Sequence, residues 1–458
     1  MVFSILKFLF ICLEVVLIFN LLIVVHELGH FLAAKWRGLV VEKFAVWFGK
    51  PIWKKTIGGV EYRLGSIPAG GFVIIPQLAP MEALEGKVEQ SRDELPPVKP
   101  LDKIIVAAAG PLFSFGLAFA MACIVWSVGK PQSEFDFPTI GYVKEGGPAD
   151  KAGIRAGDEI IAVDGHRVKH FVSGTDSVKW RIVRSEGPTI AFTVKREGQE
   201  ITIPTGWTKP ETSSWRRPAL REVQIGPRLV PGVGFVIRGS LADKAGFRSG
   251  DLITVVNGKP IFNLDEIGPL VDANRGKSLA VTVERNGAEI PLVLPLPPAS
   301  PEAKPVDFGI EWGRTTLVYP DPVSQVKDAA TSIFRMVGAL LSPKSDVKAA
   351  HFSGPVGIMR IYYQIFENEN GWRLALAFSV LINVNLALIN LLPFPVLDGG
   401  HITLAIIEGI RRKPINVRVL EFVQTACAIA LIGFMLYLTF YDVGDIFVPK
   451  PPVAEKSK

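Results

Sequence analysis

The chain has 458 residues, of which 48% are hydrophobic and 21% charged, and its net charge at pH 7 is +6. Its mean hydropathy of +0.31 is too apolar for an ordinary soluble protein. The apolar residues are concentrated in four nearly charge-free stretches, at residues 8–25, 104–128, 374–397 and 423–440. Each stretch is long enough to cross a hydrocarbon core of about 30 Å. The composition therefore excludes a wholly soluble enzyme and a disordered chain, and it predicts a polytopic α-helical membrane protein with four transmembrane helices.

The positive charge lies where membrane topology requires it. Lysine and arginine are concentrated in two loops, residues 35–55 after the first stretch and residues 411–418 between the third and the fourth. By the positive-inside rule both loops are cytoplasmic, so both termini and the polar region at about residues 129–373 lie on the outer side. The basic excess therefore predicts an orientation in a membrane rather than binding to nucleic acid.

The first apolar stretch ends in a pattern typical of a metal site, His26-Glu27-Leu28-Gly29-His30. Histidines at positions i and i+4 share one helix face, so both imidazoles can reach one metal ion. Glu27 lies beside the first histidine, where a carboxylate can take a proton from the attacking water. The alternative is a pair of hydrogen-bonded core histidines, which is costly at membrane depth without a shared partner. We therefore predict His26 and His30 as metal ligands and Glu27 as a catalytic residue.

The polar region contains an internal repeat at an offset of 93 residues, since residues 148–165 match residues 241–258. A period this long indicates two copies of one domain rather than a solenoid. In each copy we predict a short helix that stops at a glycine and a strand that ends at a hairpin turn of Asp-Gly or Asn-Gly.

The repeated pattern A-x-x-A-G-[hydrophobic]-x-x-G-D closely resembles PDZ domains. Two segments match the PDZ carboxylate-binding loop, where a peptide adds as a strand: Gly141, Tyr142 and Val143 in the first repeat, and Gly234, Phe235 and Val236 in the second. The alternative is that both repeats are rigid spacers without a ligand.

After the repeats, apolar residues recur at three- and four-residue steps from Val323 to Leu340. This spacing predicts an amphipathic helix. It could lie on the outer membrane face or pack on the second repeat.

A catalytic zinc usually has three protein ligands, so a third ligand is expected from another element. The best candidate is Asp398, in the segment Asn390-Leu-Leu-Pro-Phe-Pro-Val-Leu-Asp398-Gly-Gly-His401. Two prolines interrupt the third apolar stretch there and bend the chain near the membrane surface. The first and third spans run in the same direction, so the histidines and Asp398 reach the same cytoplasmic side. His401 is the rival third ligand.

In combination these motifs resemble the site-2 protease family of intramembrane zinc metalloproteases, over nearly the whole chain. The resemblance implies Zn²⁺ held by His26, His30 and Asp398, with Glu27 as general base and acid and His401 in a supporting role.

The resemblance also implies how a substrate is held. Asn390 and, more weakly, Asn385 would bind an unwound substrate segment, because an amide offers both a donor and an acceptor. A hydrogen bond between helices is the alternative role for each asparagine. Residues 59–75 match the family's re-entrant β-segment, which implies an edge strand near Gly70, Gly71 and Phe72 that pairs with substrate.

Two further segments match the family. Residues 109–115 match its Gly-Pro motif, although many relatives carry Asn where Ser114 stands. Residues 352–357 match a segment that precedes the third span, for which the sequence suggests no role.

The predicted organisation follows the chain. Its parts are a first transmembrane helix (1–36), a cytoplasmic and re-entrant β-segment (37–102), a second transmembrane helix (103–128), two PDZ-like domains (129–222 and 223–315), an amphipathic helix region (316–372), a third transmembrane helix (373–400), a cytoplasmic linker (401–420), a fourth transmembrane helix (421–442) and a periplasmic tail (443–458).

The family implies regulated intramembrane proteolysis in the bacterial inner membrane, with the repeats and both termini in the periplasm and the active site toward the cytoplasm. The expected substrates are single-pass membrane proteins, such as an anti-sigma factor already trimmed outside, or signal-peptide remnants. Membrane lipid is the other expected partner. The alternative is a PDZ-bearing membrane scaffold or chaperone whose metal site is only structural.

Overall fold

A computed structural model describes residues 2–78, 95–96, 98–133, 137–172, 174–212, 216–228, 231–298, 306–313, 315–366, 371–412 and 417–447. The chain divides into two compact units. The first unit comprises Met1–Lys130, Val318–Phe334 and Phe352–Ile446, and the second comprises Pro131–Leu317, Arg335–His351 and Phe447–Lys458. The predicted periplasmic tail lies outside the described residues from residue 448 onward.

The helices in chain order are α1 (Val2–Trp36), α2 (Pro100–Val128), α3 (Pro148–Lys151), α4 (Val178–Arg184), α5 (Leu241–Ala245), α6 (Ile267–Ala273), α7 (Pro322–Leu341), α8 (Pro355–Phe366), α9 (Gly371–Asn390), α10 (Asp398–Arg411) and α11 (Val417–Gly444).

The strands are β1 (Lys43–Phe48), β2 (Trp53–Ile57), β3 (Val60–Leu64), β4 (Ile67–Ile74), β5 (Lys130–Ser133), β6 (Ile140–Val143), β7 (Glu159–Val163), β8 (His166–Arg167), β9 (Ile190–Arg196), β10 (Gln199–Thr205), β11 (Ile225–Pro227), β12 (Val233–Val236), β13 (Leu252–Val256), β14 (Lys259–Pro260), β15 (Ser278–Arg285), β16 (Ala288–Pro295), β17 (Ile310–Trp312) and β18 (Thr315–Val318).

Four of these helices are long and apolar enough to cross a membrane, at Phe8–Trp36, Pro100–Val128, Gly371–Asn390 and Val419–Gly444. They coincide with the four apolar stretches, so the polytopic membrane class is confirmed. Helix α2 is central among them, because it packs against α1, α9 and α10. Its buried face is rich in alanine, glycine and serine, and such small residues let helix backbones approach closely.

The third span is shorter than predicted. Helix α9 ends at Asn390, and the chain then turns through two prolines before a separate helix, α10, begins at Asp398. Residues 401–411 of the predicted linker at 401–420 belong to this helix. Helix α10 packs on α2, its buried residues are the small Gly399, Gly400 and Ala405, and its Glu408 pairs with Lys103 of α2.

The first unit also contains a four-stranded sheet in the order β2-β3-β1-β4. Strands β1 and β3 are parallel, and the other two pairs are antiparallel. Strand β4 ends the sheet and packs against α1. The sheet falls within the segment predicted as re-entrant, and it places an edge strand beside the helix that carries both histidines.

Residues 352–357 dock on α11. The carboxylate of Asp442 is fully buried there and accepts a hydrogen bond from the N–H of Gly357 at 2.8 Å. A Cβ atom on Gly354 or Gly357 would lie 2.9 or 2.5 Å from that carboxylate, so only glycine allows the approach. The start of α8 is also favourable for a negative charge, because free N–H groups point outward there. The segment thus fastens α8 to α11.

The second unit contains the two repeats, with matching sheets in the orders β10-β9-β7-β8 and β14-β13-β15-β16. The predicted hairpins are present, since Asp164 and Asn257 adopt φ of 49° and 48° and each is followed by a glycine with positive φ.

The aspartate of the repeated Gly-Asp pattern is buried in both copies. Asp158 pairs with Arg196 and Asp251 with Arg285, each through two hydrogen bonds of 2.6–2.7 Å.

The segments predicted to form carboxylate-binding loops lie in strands β6 and β12, which pair with β11 and β17 respectively. The boundary at 222/223 is displaced toward the C terminus, because β11 pairs with β6 and Val223 lies in the core of the first repeat. The core of the second repeat begins at Val233.

Helix α7 is present as predicted. In the first unit, Ala329 packs with Ala118 of α2 and Val384 of α9. In the second unit, Ala339 packs with Val183 of the first repeat. The repeat that α7 contacts within the described residues is thus the first, not the second.

A short segment after α7, residues 342–351, is fastened to the first repeat; we call it the strap. Asp346 of the strap accepts hydrogen bonds from Arg221 at 2.8 Å and Lys209 at 2.7 Å. The side chains of Arg221 and Asp346 are only 4% and 9% exposed. Burial alone would raise the pKa of the Asp346 carboxyl, but the hydrogen bonds and positive charges of these two partners outweigh it and hold that pKa below its usual value.

Candidate metal centre

Three side chains from α1 and α10 converge on one point. Nε2 of His26 lies 3.1 Å from Oδ2 of Asp398, and Nε2 of His30 lies 3.3 Å from its Oδ1. The two Nε2 atoms are 3.3 Å apart. One ligand atom from each residue therefore falls within 4.8 Å of the others, as one metal ion requires. The structure brings together the three predicted ligands, which are separated by up to 372 residues in the sequence.

Both imidazoles are held from behind by α2. Nδ1 of His30 donates to the carbonyl oxygen of Val106 at 2.8 Å, and Nδ1 of His26 lies 3.0 Å from the hydroxyl oxygen of Ser114. With Nδ1 of each ring occupied in this way, Nε2 is the atom left to face Asp398. A metal-binding histidine is commonly oriented by such a bond at its other nitrogen.

Gly110 makes room for the two rings. A Cβ atom there would lie 2.2 Å from Nε2 of His30 and 2.8 Å from Nε2 of His26. The next residue, Pro111, has no N–H for the carbonyl one turn earlier, which loosens α2 close to the carbonyl that His30 uses. Val106, Gly110 and Ser114 lie on one face of α2 at four-residue steps.

Sequence reasoning assigned no role to Val106 and Gly110 and left that of Ser114 in doubt. The Gly-Pro pair inside an apolar helix was a signal for a close approach, but the sequence does not say which side chains approach.

Asp398 is placed by the turn that joins α9 to α10. It is the first residue of α10, and Gly399 and Gly400 follow it. A Cβ atom on Gly399 would lie 2.2 Å from the carbonyl oxygen of Leu391, and one on Gly400 would lie 2.0 Å from that of Phe394. The double glycine therefore lets the turn fold onto the start of α10. His401, the rival ligand, is not among the residues that converge on the common point within the described chain.

Glu27 lies between the two histidines on α1 and faces β4. A Cβ atom on Gly71 would be 3.7 Å from Cγ of Glu27 and 2.9 Å from the carbonyl oxygen of Ala45, so the strand passes close to the carboxylate. Gly70 adopts φ of +87°, a conformation that favours glycine. The side chain of Phe72 is buried and stacks on Phe48 with ring centroids 5.6 Å apart. Of the three residues of β4 predicted to contact substrate, Phe72 therefore has its side chain packed inside the fold.

The two asparagines of α9 differ in position. Nδ2 of Asn390 is 3.3 Å from Nε2 of His26, so its amide lies at the centre itself. Oδ1 of Asn385 is buried and has no hydrogen-bond partner within the described residues.

The donor set fits zinc. Two imidazole nitrogens and a carboxylate are common ligands of a catalytic zinc site, which keeps another position open. The exposed fractions of the His26, His30 and Asp398 side chains are 7%, 12% and 18%, so the group is largely shielded from solvent. Gly110 leaves room beside the two Nε2 atoms, because any side chain at this position would collide with them.

The class of protein follows from a family model that matches residues 14–434, described as Peptidase family M50. The chain belongs to this family and is a zinc metalloprotease of the site-2 type. The enzyme interpretation is thereby confirmed over the scaffold alternative.

Among known proteins, the chain is similar to the regulator of sigma-E protease RseP of Escherichia coli. The two are 31% identical over 459 residues, which cover 93% of this chain and 97% of the relative. The regulator of sigma E protease of Salmonella typhi is 30% identical over the same shares of the two chains. A predicted zinc metalloprotease of Neisseria meningitidis is also 30% identical, with 93% and 97% covered.

Proposed function

We propose that this protein cleaves single-pass membrane proteins within or near the bilayer, as a step of regulated intramembrane proteolysis in the bacterial inner membrane. The observation that carries the proposal is the convergence of His26, His30 and Asp398, with Glu27 and an edge strand beside them. A centre of this kind inside a group of apolar helices suits a substrate that is itself a membrane helix.

In this proposal His26, His30 and Asp398 hold the zinc ion, which when bound polarises a carbonyl and makes water more acidic. Glu27 takes the proton from the attacking water and passes it to the leaving amine of the substrate. Asn390, whose amide lies 3.3 Å from His26, orients the scissile segment. His401 has a supporting role one helical turn from Asp398.

The substrate must unwind before it is cut, because the peptide bonds of a helix are shielded by their own hydrogen bonds. Strand β4 ends its sheet, so the edge away from β1 can receive an extended segment. A Cβ atom on Gly70 would clash with the ring of Phe48, and one on Gly71 would lie 2.9 Å from the carbonyl oxygen of Ala45, so both glycines let β4 lie close against β1. The backbone groups of the edge away from β1 would replace the backbone hydrogen bonds that the substrate helix loses.

The substrate class rests on the relatives. Two of them are named for regulation of sigma-E, which supports a membrane-bound anti-sigma factor as substrate after its outer part has been trimmed. Leftover signal peptides are a second class with the same single-span chemistry. In this arrangement the repeats and both termini are periplasmic, and the active site faces the cytoplasmic side.

We further propose that the two repeats are PDZ domains. Their short helices, hairpins and buried Gly-Asp aspartates recur in both copies. Tyr142 and Phe235 occupy equivalent positions and are 52% and 56% exposed. Exposed aromatic side chains in this position favour a peptide-binding groove, whereas the bulk of two domains favours a size filter.

The test of the proposed function is a cleavage assay with purified full-length protein and a model single-pass substrate. Glu27→Gln should keep zinc, because Glu27 is not among the ligands, and should lose cleavage by at least about 100-fold. Glu14→Gln is the matched control, since it is another acid of α1, twelve residues before His26. Near-normal cleavage by Glu27→Gln, with zinc present, would reject this mechanism.

A further inference from the structure

We propose that Ser114 is a positioning residue for His26. Its hydroxyl accepts the hydrogen bond of His26 Nδ1, so that Nε2 of this ring carries a free lone pair toward Asp398. The inference rests on the proposed ligand set and deepens it, because it names the group that prepares one ligand for zinc.

The two histidines are supported by different kinds of atoms. A carbonyl oxygen can only accept, so the contact with Val106 fixes the proton of neutral His30 on Nδ1. A hydroxyl can donate or accept, so the contact with Ser114 leaves both tautomers of neutral His26 available. Binding of a metal at Nε2 requires the form in which Ser114 accepts. The tautomer of His30 is therefore set in advance. The tautomer of His26 depends on whether the hydroxyl of Ser114 accepts from Nδ1 or donates to it.

Burial makes the serine important. Ser114 is fully buried on α2, in a helix surrounded by apolar side chains, and His26 is only 6% exposed. Solvent cannot easily replace a lost partner at Nδ1 in such a place. Without Ser114, the ring would lose its orientation or leave a buried N–H unpaired, and either result weakens a ligand.

The expected consequence is a specific loss of zinc affinity. Removing an outer partner of a metal-binding histidine typically weakens metal binding about 10- to 100-fold. Ser114→Ala should have this effect. Ser114→Asn and Ser114→Thr each keep an oxygen that can accept, so at least one of them should restore most of the affinity.

The measurement uses purified full-length protein stripped of metal. Zinc affinity is measured by competition with a chromophoric chelator, and thermal unfolding of the zinc-free protein is measured in parallel. Ser127→Ala is the matched control, because Ser127 lies on the same helix and its exposed hydroxyl donates to the carbonyl of Ile124. The expected result is weaker zinc binding in Ser114→Ala alone, with unchanged unfolding of the zinc-free protein.

Equal zinc affinity of Ser114→Ala and Ser127→Ala would overturn the proposal. The proposal would also be overturned if Ser114→Asn and Ser114→Thr both fold and both bind zinc as weakly as Ser114→Ala, because the acceptor would then not matter. His26→Ala separates this inference from the proposed function. Full zinc affinity in His26→Ala rejects the ligand set itself, whereas its loss together with a normal Ser114→Ala rejects only the role of Ser114.

Discussion

At the scale of single residues, the metal centre depends on the absence of a side chain at Gly110 as much as on its ligands. Gly110→Ala should abolish zinc binding, because the added Cβ would lie 2.2 Å from Nε2 of His30 and displace the imidazole. Gly116→Ala on the same helix is the control, since a Cβ there meets no atom within 4 Å. Zinc content of the two purified variants checks the prediction. Equal zinc in both would mean that the rings can move aside without losing the metal.

The third ligand is tested by a second pair of substitutions. Asp398→Asn should lower zinc occupancy strongly, because a neutral amide is a poorer ligand for zinc than a carboxylate. His401→Ala should retain most of the zinc, since His401 does not reach the point where the other three residues meet. Full zinc in Asp398→Asn together with loss in His401→Ala would transfer the ligand role to His401.

What the sequence could predict at this scale was set by local spacing and by membrane topology. The i, i+4 histidines share a helix face in any helix, and the direction of the spans brings Asp398 to the same side. The roles of Val106 and Gly110 could not be predicted, because they depend on how α2 is rotated against α1. A Gly-Pro pair in an apolar helix indicates a close approach but does not identify the neighbour.

At the scale of elements, the position of β4 at the end of its sheet, next to Glu27, leads to a prediction about substrates. Helix-weakening residues (Gly, Asn or Pro) near the scissile bond should speed cleavage, because the segment must become extended before it can pair with β4. A leucine-rich replacement should slow cleavage, since leucine favours the helix. The measurement compares initial rates for substrates that differ only in this segment. Equal rates would argue against strand pairing.

Elements were predicted well where hydrophobic period or turn chemistry was strong. The four spans, α7 and the Asp-Gly and Asn-Gly hairpins belong to this group. Helix α10 was missed because two prolines precede it and a double glycine lies in its first turn, a combination that suggests a continuing loop. Strand β11 was missed because it has three residues, two of them Gly226 and Pro227, and only its pairing with β6 makes it a strand.

At the scale of the whole molecule, the strap connects distant parts of the chain, since Arg221 and Asp346 are 125 residues apart in sequence. Asp346→Asn should lower the stability of the second unit by about 3 kcal/mol, because it leaves the guanidinium of Arg221 buried without its carboxylate. The ion pair with Lys209 should account for little of this loss of stability, since the side chain of Lys209 is 41% exposed. Sequence reasoning had no means to find this pair, because neither residue belongs to a recognisable motif.

The same pair sets a dependence on pH. The folded-state pKa of Asp346 lies below the unfolded value of about 3.9. The ionised carboxylate therefore contributes to the free energy of unfolding above about pH 4, and this contribution is lost as the pH falls further. The unfolding midpoint of the wild type should therefore decrease more steeply below pH 4 than that of Asp346→Asn. Asp272→Asn is the control, because that carboxylate is 53% exposed in its pair with Arg275. Parallel curves for the wild type and Asp346→Asn would exclude Asp346 as the cause.

The repeats lead to the last prediction, which concerns access to the centre. A size filter needs only the bulk of the two domains, whereas a peptide receptor needs the exposed side chains of β6 and β12. We favour the filter, because resemblance to a PDZ fold does not by itself establish ligand binding. Deletion of residues 140–315 should then allow untrimmed substrate to be cut. Tyr142→Arg combined with Phe235→Arg should leave cleavage of trimmed substrate unchanged.

These two positions are suitable because both side chains are exposed, whereas Val143 packs on the core of the first repeat. The measurement is cleavage of full-length and pre-trimmed substrate by the wild type and both variants, with the trimmed form as the control for an intact centre. Continued rejection of full-length substrate by a deletion variant that still cuts the trimmed form would rule out the filter. Loss of trimmed-substrate cleavage in the double variant alone would establish the receptor instead.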